Sequence, residues 1–188
     1  MQFLNTQQRS GVINEPQLAA LVLPDMSDDW LLQHLETWLL PHLSGNNNLK
    51  ILQSLDLYSI LRTGLTWPQQ TQLDALAPMH ITVPSGSRIA IDYTDPNTPV
   101  LAVRLQELFG LQQTPSIING KFSLLIHLLS PGYKPMQVTQ DLASFWRTTY
   151  FEVRKELRGK YKKHYWPEDP LTAQATSKTK RRMKSDST

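Results

Sequence analysis

Residues 128–170 read LLSPGYKPMQVTQDLASFWRTTYFEVRKELRGKYKKHYWPEDP, and this stretch organises the reading of the whole chain. It opens with a turn at Ser130-Pro131-Gly132, and Pro135 ends the irregular part. Thr139 is a capping residue, and Asp141 follows in the first turn, near the positive end of a helix dipole. The pattern predicts one long helix from there to Gly159. At 100° per residue, Leu142, Trp146, Thr149, Val153 and Leu157 share one side, with Phe145 at its edge. Arg147, Arg154 and Arg158 fall within about 40° of one another on a different side, with Phe151 beside them. The expected helix has one face to bury and one to offer an anion.

A chain of 188 residues can bury a real core and form one domain or two small ones. It has no cysteine, which excludes disulfides and thiolate chemistry and suits a reducing compartment. The opening MQFLNTQQRS carries no signal-like apolar run, and no stretch approaches the roughly 20 apolar residues of a membrane span. A cytoplasmic protein without a membrane partner is expected. The net charge of +3 hides an asymmetry. Residues 1–138 hold seven Lys/Arg against ten Asp/Glu, whereas residues 139–188 hold twelve against six. Such a basic last quarter favours a polyanion partner, although a solvated helix with a disordered tail has the same composition.

In chain order, residues 1–26 are polar and irregular, with a short apolar patch at Leu18 to Leu23 bracketed by Pro16 and Pro24. Residues 27–77 read as three short helices. Ser27-Asp28-Asp29 starts the first, which carries Leu31, Leu32, Leu35, Trp38 and Leu39 and closes at Pro41. After a Gly45-Asn46-Asn47-Asn48 loop, Leu49 to Leu61 forms the second, with Gly64 beyond its end. Thr66-Trp67-Pro68-Gln69 is a capping box opening the third. Their wide apolar stripes are expected to form core. From Met79 the pattern turns to strands: His80–Val83, Arg88–Tyr93, Pro99–Val103, Ile117-Ile118 and Phe122–Leu129, with Asn119-Gly120 as a hairpin signal. Five strands within some 50 residues suit a small closed or partly closed barrel. An OB-like barrel is the first choice, and an SH3-like barrel fits the strand count equally well.

The fold class is therefore α+β: a short helical segment, an OB-like small β-barrel over 78–170 with its long C-terminal helix, and a basic disordered tail over 171–188.

No catalytic residue is assigned. Gly120-Lys121-Phe122-Ser123 is the nearest approach to a phosphate loop, but it lacks the upstream glycine and puts Phe122 where the hydroxyl belongs. There is no Asp-Glu-x-His run and no G-x-S-x-G elbow. The five histidines show no metal-ligand spacing. Asp92, Asp95 and Glu107 are expected to form turns or to pair with Arg88 or Arg104 rather than to hold a metal. The candidate nucleic-acid-binding residues are cations that can follow a backbone and aromatics that can stack on bases. The cations are Arg88, Lys121, Arg147, Arg154, Lys155, Arg158, Lys162 and Lys163; the aromatics are Phe151, Tyr165 and Trp166. Interface ion pairing and plain exposure stay open for the arginines, and stapling of the C-terminal segment stays open for Tyr165 and Trp166.

The run TxDLxxFWxxxYxxVRKELRGxYxKHxWPEDP, filled here by Thr139 to Pro170, resembles the C-terminal region of bacterial DEAH-box ATP-dependent helicases of the HrpB type. Pro84-Ser85-Gly86-Ser87-Arg88 with Asp92-Tyr93, the run from Arg104 to Gly110, and Leu128-Leu129-Ser130-Pro131 resemble the same family, so the likeness spans about Trp30 to Pro170. Members commonly read Ser-Pro-Ala-Gly-Arg-Pro where this chain has Ser130-Pro131-Gly132-Tyr133-Lys134-Pro135, and proline at Lys162. The resemblance implies an accessory region that holds single-stranded nucleic acid, RNA first, and braces the helicase motor domains. It also implies that ATP and Mg²⁺ act elsewhere in the full helicase, so this chain alone carries no cofactor and no hydrolase activity. The alternative is a structural module that docks on acidic surfaces of partner domains.

Overall fold

The computed structural model describes residues 1–11, 23–43 and 49–185. The expected Gly45–Asn48 loop and residues 18–22 of the expected apolar patch lie outside them. The chain divides into two compact units, Met1–Ala77 and Pro78–Thr188.

The first unit is helical: α1 (Gln2–Arg9), α2 (Asp28–Gln33), α3 (Leu35–Trp38), α4 (Leu49–Ser54), α5 (Leu57–Thr63) and α6 (Trp67–Leu76). Ser27 caps α2 by accepting from the Trp30 amide at 3.3 Å. The capping box at α6 forms as expected, with Gln69 Oε1 accepting from the Thr66 amide at 2.8 Å. Two expected helices are each broken. His34 interrupts the first, its ring stacked on Trp30 at 4.3 Å. Asp56 restarts the second by capping α5 through the Ser59 amide. Residues 2–9 are helical where the polar sequence reads as irregular, because Phe3, Leu4 and Gln7 are buried. The expected core is the larger difference. Leu32 is 68% exposed and Trp67 76%, and Leu35, Leu52 and Leu57 are exposed as well.

The second unit is built on a five-stranded sheet ordered β1-β2-β3-β6-β7, with β4 and β5 as a separate hairpin. Its strands are β1 (His80–Thr82), β2 (Arg88–Asp92), β3 (Val100–Arg104), β6 (Leu125–Leu129) and β7 (Pro135–Thr139). The hairpin pairs β4 (Ser116–Ile117) with β5 (Phe122–Ser123). Lys121 N donates to Ile118 O at 3.0 Å across Asn119 and Gly120, both at positive φ, as a type I′ turn requires. All ladders are antiparallel except β3–β6, which is parallel and sets Leu101 opposite Ile126 and Val103 opposite Leu128. These four are buried, so the alternation puts them on one face.

Of the expected closed or partly closed barrel, the closed form is absent among the described residues. β1 and β7 lie at opposite ends of the strand order, and no ladder joins them. The parallel β3–β6 step requires a long crossover, and the β4–β5 hairpin lies within that crossover as a separate two-stranded sheet.

The single long helix is also corrected. Thr139 belongs to β7, and Asp141 is the cap, accepting from Ser144 N at 2.8 Å. The helix is two pieces, α7 (Leu142–Arg147) and α8 (Tyr150–Lys160). Adjacent β-branched threonines sit at the junction, and the Thr148 hydroxyl donates back to Ser144 O at 2.8 Å. Such back-bonding competes with the helical ladder and bends it. Across the junction the buried set is Leu142, Phe145, Trp146, Tyr150, Val153 and Leu157, with Tyr150 one turn beyond Trp146 and Thr149 only half-buried. Phe109, leaving β3, meets Trp146 at 6.1 Å and Tyr150 at 6.2 Å in tilted and edge-on contacts.

The segment expected to be a disordered tail is partly strapped down. Gln106 is fully buried; its side-chain amide donates to Thr176 O at 2.9 Å and Lys178 O at 3.2 Å, and Thr176 N donates to Gln106 O. A last helix, α9 (Lys180–Ser185), follows. Gln106→Met removes both side-chain bonds. It is expected to speed tryptic cleavage after Lys178 and to lower unfolding stability in urea by about 1–2 kcal/mol.

Candidate nucleic-acid interface

The arginine stripe of the sequence reading is not presented as one free surface. Arg154 is half-buried; its Nε donates to Trp166 O at 3.3 Å and its Nη2 reaches Glu168 at 3.4 Å. It fastens the exit segment, residues 161–170 after α8, to that helix. Arg147 lines a depression of about 280 Å³ with Phe151, Glu168, Asp169 and Leu171. Two carboxylates therefore share that depression with it. Asp169 accepts from Leu171 N and the Thr172 hydroxyl, which holds its carboxyl below the usual range. Lys155 and Arg158 are exposed and make no ion pair among the described residues.

Of the aromatics, Phe151 is exposed, as expected. Trp166 is buried, with its indole N–H on Tyr161 O at 3.1 Å, so it staples the segment rather than offering a base a face. Tyr165 is half-buried, edge-on to Phe109 at 6.4 Å. Arg88 is exposed on β2, opposite Thr82, and Lys121 is exposed in the β4–β5 turn.

The structure gathers a different basic surface. Lys180 N donates to Lys163 O at 2.9 Å, and its ammonium reaches Lys162 O at 3.4 Å. The segments 160–164 and 177–182 therefore meet. Together they hold seven Lys/Arg and no Asp or Glu. Lys162, Lys163, Lys180, Arg181 and Arg182 are all exposed. One member, Lys160, is paired with Glu156 at 2.6 Å. The turn after β6 borders this surface, because Ser130 Oγ lies 3.1 Å from the Tyr161 hydroxyl.

Beneath that turn is a buried ion pair. Glu107 is 2% exposed; it accepts from Arg104 Nη2 at 2.6 Å and from the Ser87 hydroxyl at 3.1 Å. This is the Arg104 pairing weighed for Glu107. Asp92 and Asp95 instead accept from Thr94 N and Asn97 N, closing their own turns. Among the described residues no three metal-ligating side chains come together. The Arg104 guanidinium lies under the Tyr133 ring, 5.1 Å from its centroid. Arg104 Nε and His164 Nδ1 are both buried without a hydrogen-bond partner. Tyr133 and the α9 cations are not among the candidates read from the sequence. The α9 cations read as tail composition, and Tyr133 was only one departure in a turn.

The comparisons with known proteins agree with this architecture. The family model described as ATP-dependent helicase C-terminal matches residues 38–170. The chain belongs to this family. The ATP-dependent RNA helicase HrpB of Escherichia coli (strain K12) is 50% identical over 158 residues, which is 84% of this chain and 20% of that protein. A crystal structure of the E. coli DExH-box NTPase HrpB matches with a TM-score of 0.77 at 45% identity, covering 95% of this chain and 21% of that one. A crystal structure of the Escherichia coli DEAH/RHA helicase HrpB matches with a TM-score of 0.63 at 44% identity, covering 88% and 20%. The chain thus spans about a fifth of the length of these relatives. No helix among the described residues is long and apolar enough to cross a membrane.

Within this HrpB-type region, His164 has a pH signature. Burial, and secondarily the Arg104 charge, lower its pKa from the ordinary 6.5. The unfolded chain then binds a proton that the folded state refuses. This contribution to stability is complete above about pH 6.5 and falls as pH drops through the lowered value. The melting temperature is expected to fall between pH 7.5 and 5.5, and to fall less in His164→Gln.

Proposed function

We propose that this region holds a single strand, RNA first, for an HrpB-type helicase, along the surface formed by Lys162, Lys163, Lys180 and Arg181. The observation that carries this reading is the hydrogen-bonded meeting of two segments that hold cations and no carboxylates. Exposed cations with no carboxylate beside them in these segments release counterions when they meet phosphates, and that release drives binding. Arg147 and Arg154 face Glu168 and Asp169 instead, so they contribute less to an incoming polyanion. On this reading the activity of a whole helicase, with ATP, Mg²⁺ and a cytoplasmic setting, belongs to parts that this chain does not span. The test is fluorescence anisotropy with a labelled single-stranded RNA across a salt series. The Lys162→Glu, Lys163→Glu double variant is expected to bind at least tenfold more weakly. Its log–log salt slope should be shallower by about 1.4, given roughly 0.7 per phosphate on a single strand. An unchanged slope in the double variant overturns the reading.

A second reading rests on the first unit. Its helices leave Leu32, Leu57 and Trp67 exposed. These side chains suit docking on the motor domains of the helicase. Leu32→Ser with Trp67→Ser is expected to abolish co-purification with the motor portion of an HrpB-type helicase and to leave RNA affinity unchanged.

A further inference from the structure

The turn after β6 contains a residue that is both strained and exposed. Tyr133 has φ of +61°, in the left-handed region that bulky side chains rarely adopt. Ile118, at +52°, is fully buried, so its packing offsets the strain. Tyr133 is 67% exposed and gains no such burial. Its one described ring contact is with the Arg104 guanidinium beneath it. A strained conformation that packing does not explain is a reason to look for function.

Hydrogen bonds hold the backbone of the turn. Tyr133 N donates to Ser130 O at 2.9 Å, Ser130 N to Lys134 O at 2.8 Å, and Lys134 N to Ser130 Oγ at 3.1 Å. Ser130 is fully buried. A Cβ on Gly132 would stand 3.1 Å from the Tyr161 hydroxyl, so the turn packs closely on the end of α8. Arg104 is fixed from below by buried Glu107. One face of the ring is therefore backed by an anchored cation, and the ring is exposed next to Lys134 in a turn that packs on Tyr161, the residue before Lys162 and Lys163.

We propose that Tyr133 is a stacking site for one unpaired base of a single-stranded nucleic acid, with Arg104 as the support that holds its ring in place. This deepens the reading of the basic surface above and rests on it. Aromatic stacking tolerates any base, because every base offers a π-face, while the neighbouring lysines take the phosphates. A ring already held in place loses little freedom on binding. The same geometry argues against a phosphate at Tyr133 itself, since a ring face does not bind an anion.

The test uses the full chain and a ten-nucleotide single-stranded RNA carrying 2-aminopurine, whose fluorescence is quenched on stacking. Tyr133→Gly suits the left-handed position, so it is expected to fold with an equal or higher melting temperature. It should bind the RNA about 5- to 100-fold more weakly and lose the quench, with an unchanged salt slope. Tyr133→Phe should keep both. Binding of inorganic polyphosphate, a polyanion without bases, should be the same in wild type and Tyr133→Gly. Wild-type affinity and full quench in Tyr133→Gly would overturn the stacking site and leave the basic surface standing. A folded wild type that binds no RNA would overturn both.

Discussion

The buried ion pair between Glu107 and Arg104 holds together the part of the second unit that faces outward. A carboxylate at 2% exposure is tolerated only when paired, and Arg104 and Ser87 both bond the same oxygen. Through Ser87 the pair ties the β1–β2 hairpin to the exit of β3, and the Glu107 carbonyl accepts from Ser85 N at 3.3 Å. Through Arg104 it sets the position of the Tyr133 ring and adds, after burial, to the lowering of the His164 pKa. Removing one partner of such a pair typically costs about 3–5 kcal/mol, because the other is left charged and buried. Three chain segments therefore depend on one contact between residues three apart in sequence.

A second constraint is the break at Thr148-Thr149. The Thr148 hydroxyl bonds back to Ser144 O and loosens the helix there, and Tyr150, one turn beyond Trp146, is buried in the core. The Tyr150 hydroxyl then donates to Pro167 O at 2.8 Å, and burial raises its pKa. That bond, with Arg154 on Trp166 O, fastens the exit segment along α8. The exit segment brings Glu168 and Asp169 toward Arg147, which makes the middle of the helix a mixed-charge surface. Positive charge is left concentrated where Lys162 and Lys163 meet Lys180. The electrostatic character of the surface thus follows from a packing event rather than from the helical wheel.

The two units manage apolar surface differently. The second encloses Phe109, Tyr150, Leu157 and the inward faces of β3 and β6, whereas the first buries few large residues and exposes leucines and a tryptophan. The first helices are short, between four and ten residues, and short helices draw their stability from packing rather than propensity. Exposed leucines on such helices make sense in a region that belongs to a family of much longer proteins.

Local signals were legible in the residues themselves. Ser27 and the Thr66–Gln69 box marked helix starts, Asn119-Gly120 marked the hairpin, and the run from Thr139 to Pro170 carried the family resemblance. Each depends on contacts within about four residues, or on a motif long enough to be specific. The sequence also located the excess positive charge in the last fifty residues. Tertiary structure alone decided the open sheet, because strand count does not fix whether the first and last strands meet. It alone decided that Arg154 and Trp166 are internal staples and that residues 176–180 are strapped to Gln106 and Lys163, since no local pattern marks those partners, and Gln106 lies 70 residues from Thr176. Tyr133 is the extreme case: neither its backbone angle nor the cation beneath it can be read from a turn sequence, because both are set by what the chain packs against from elsewhere.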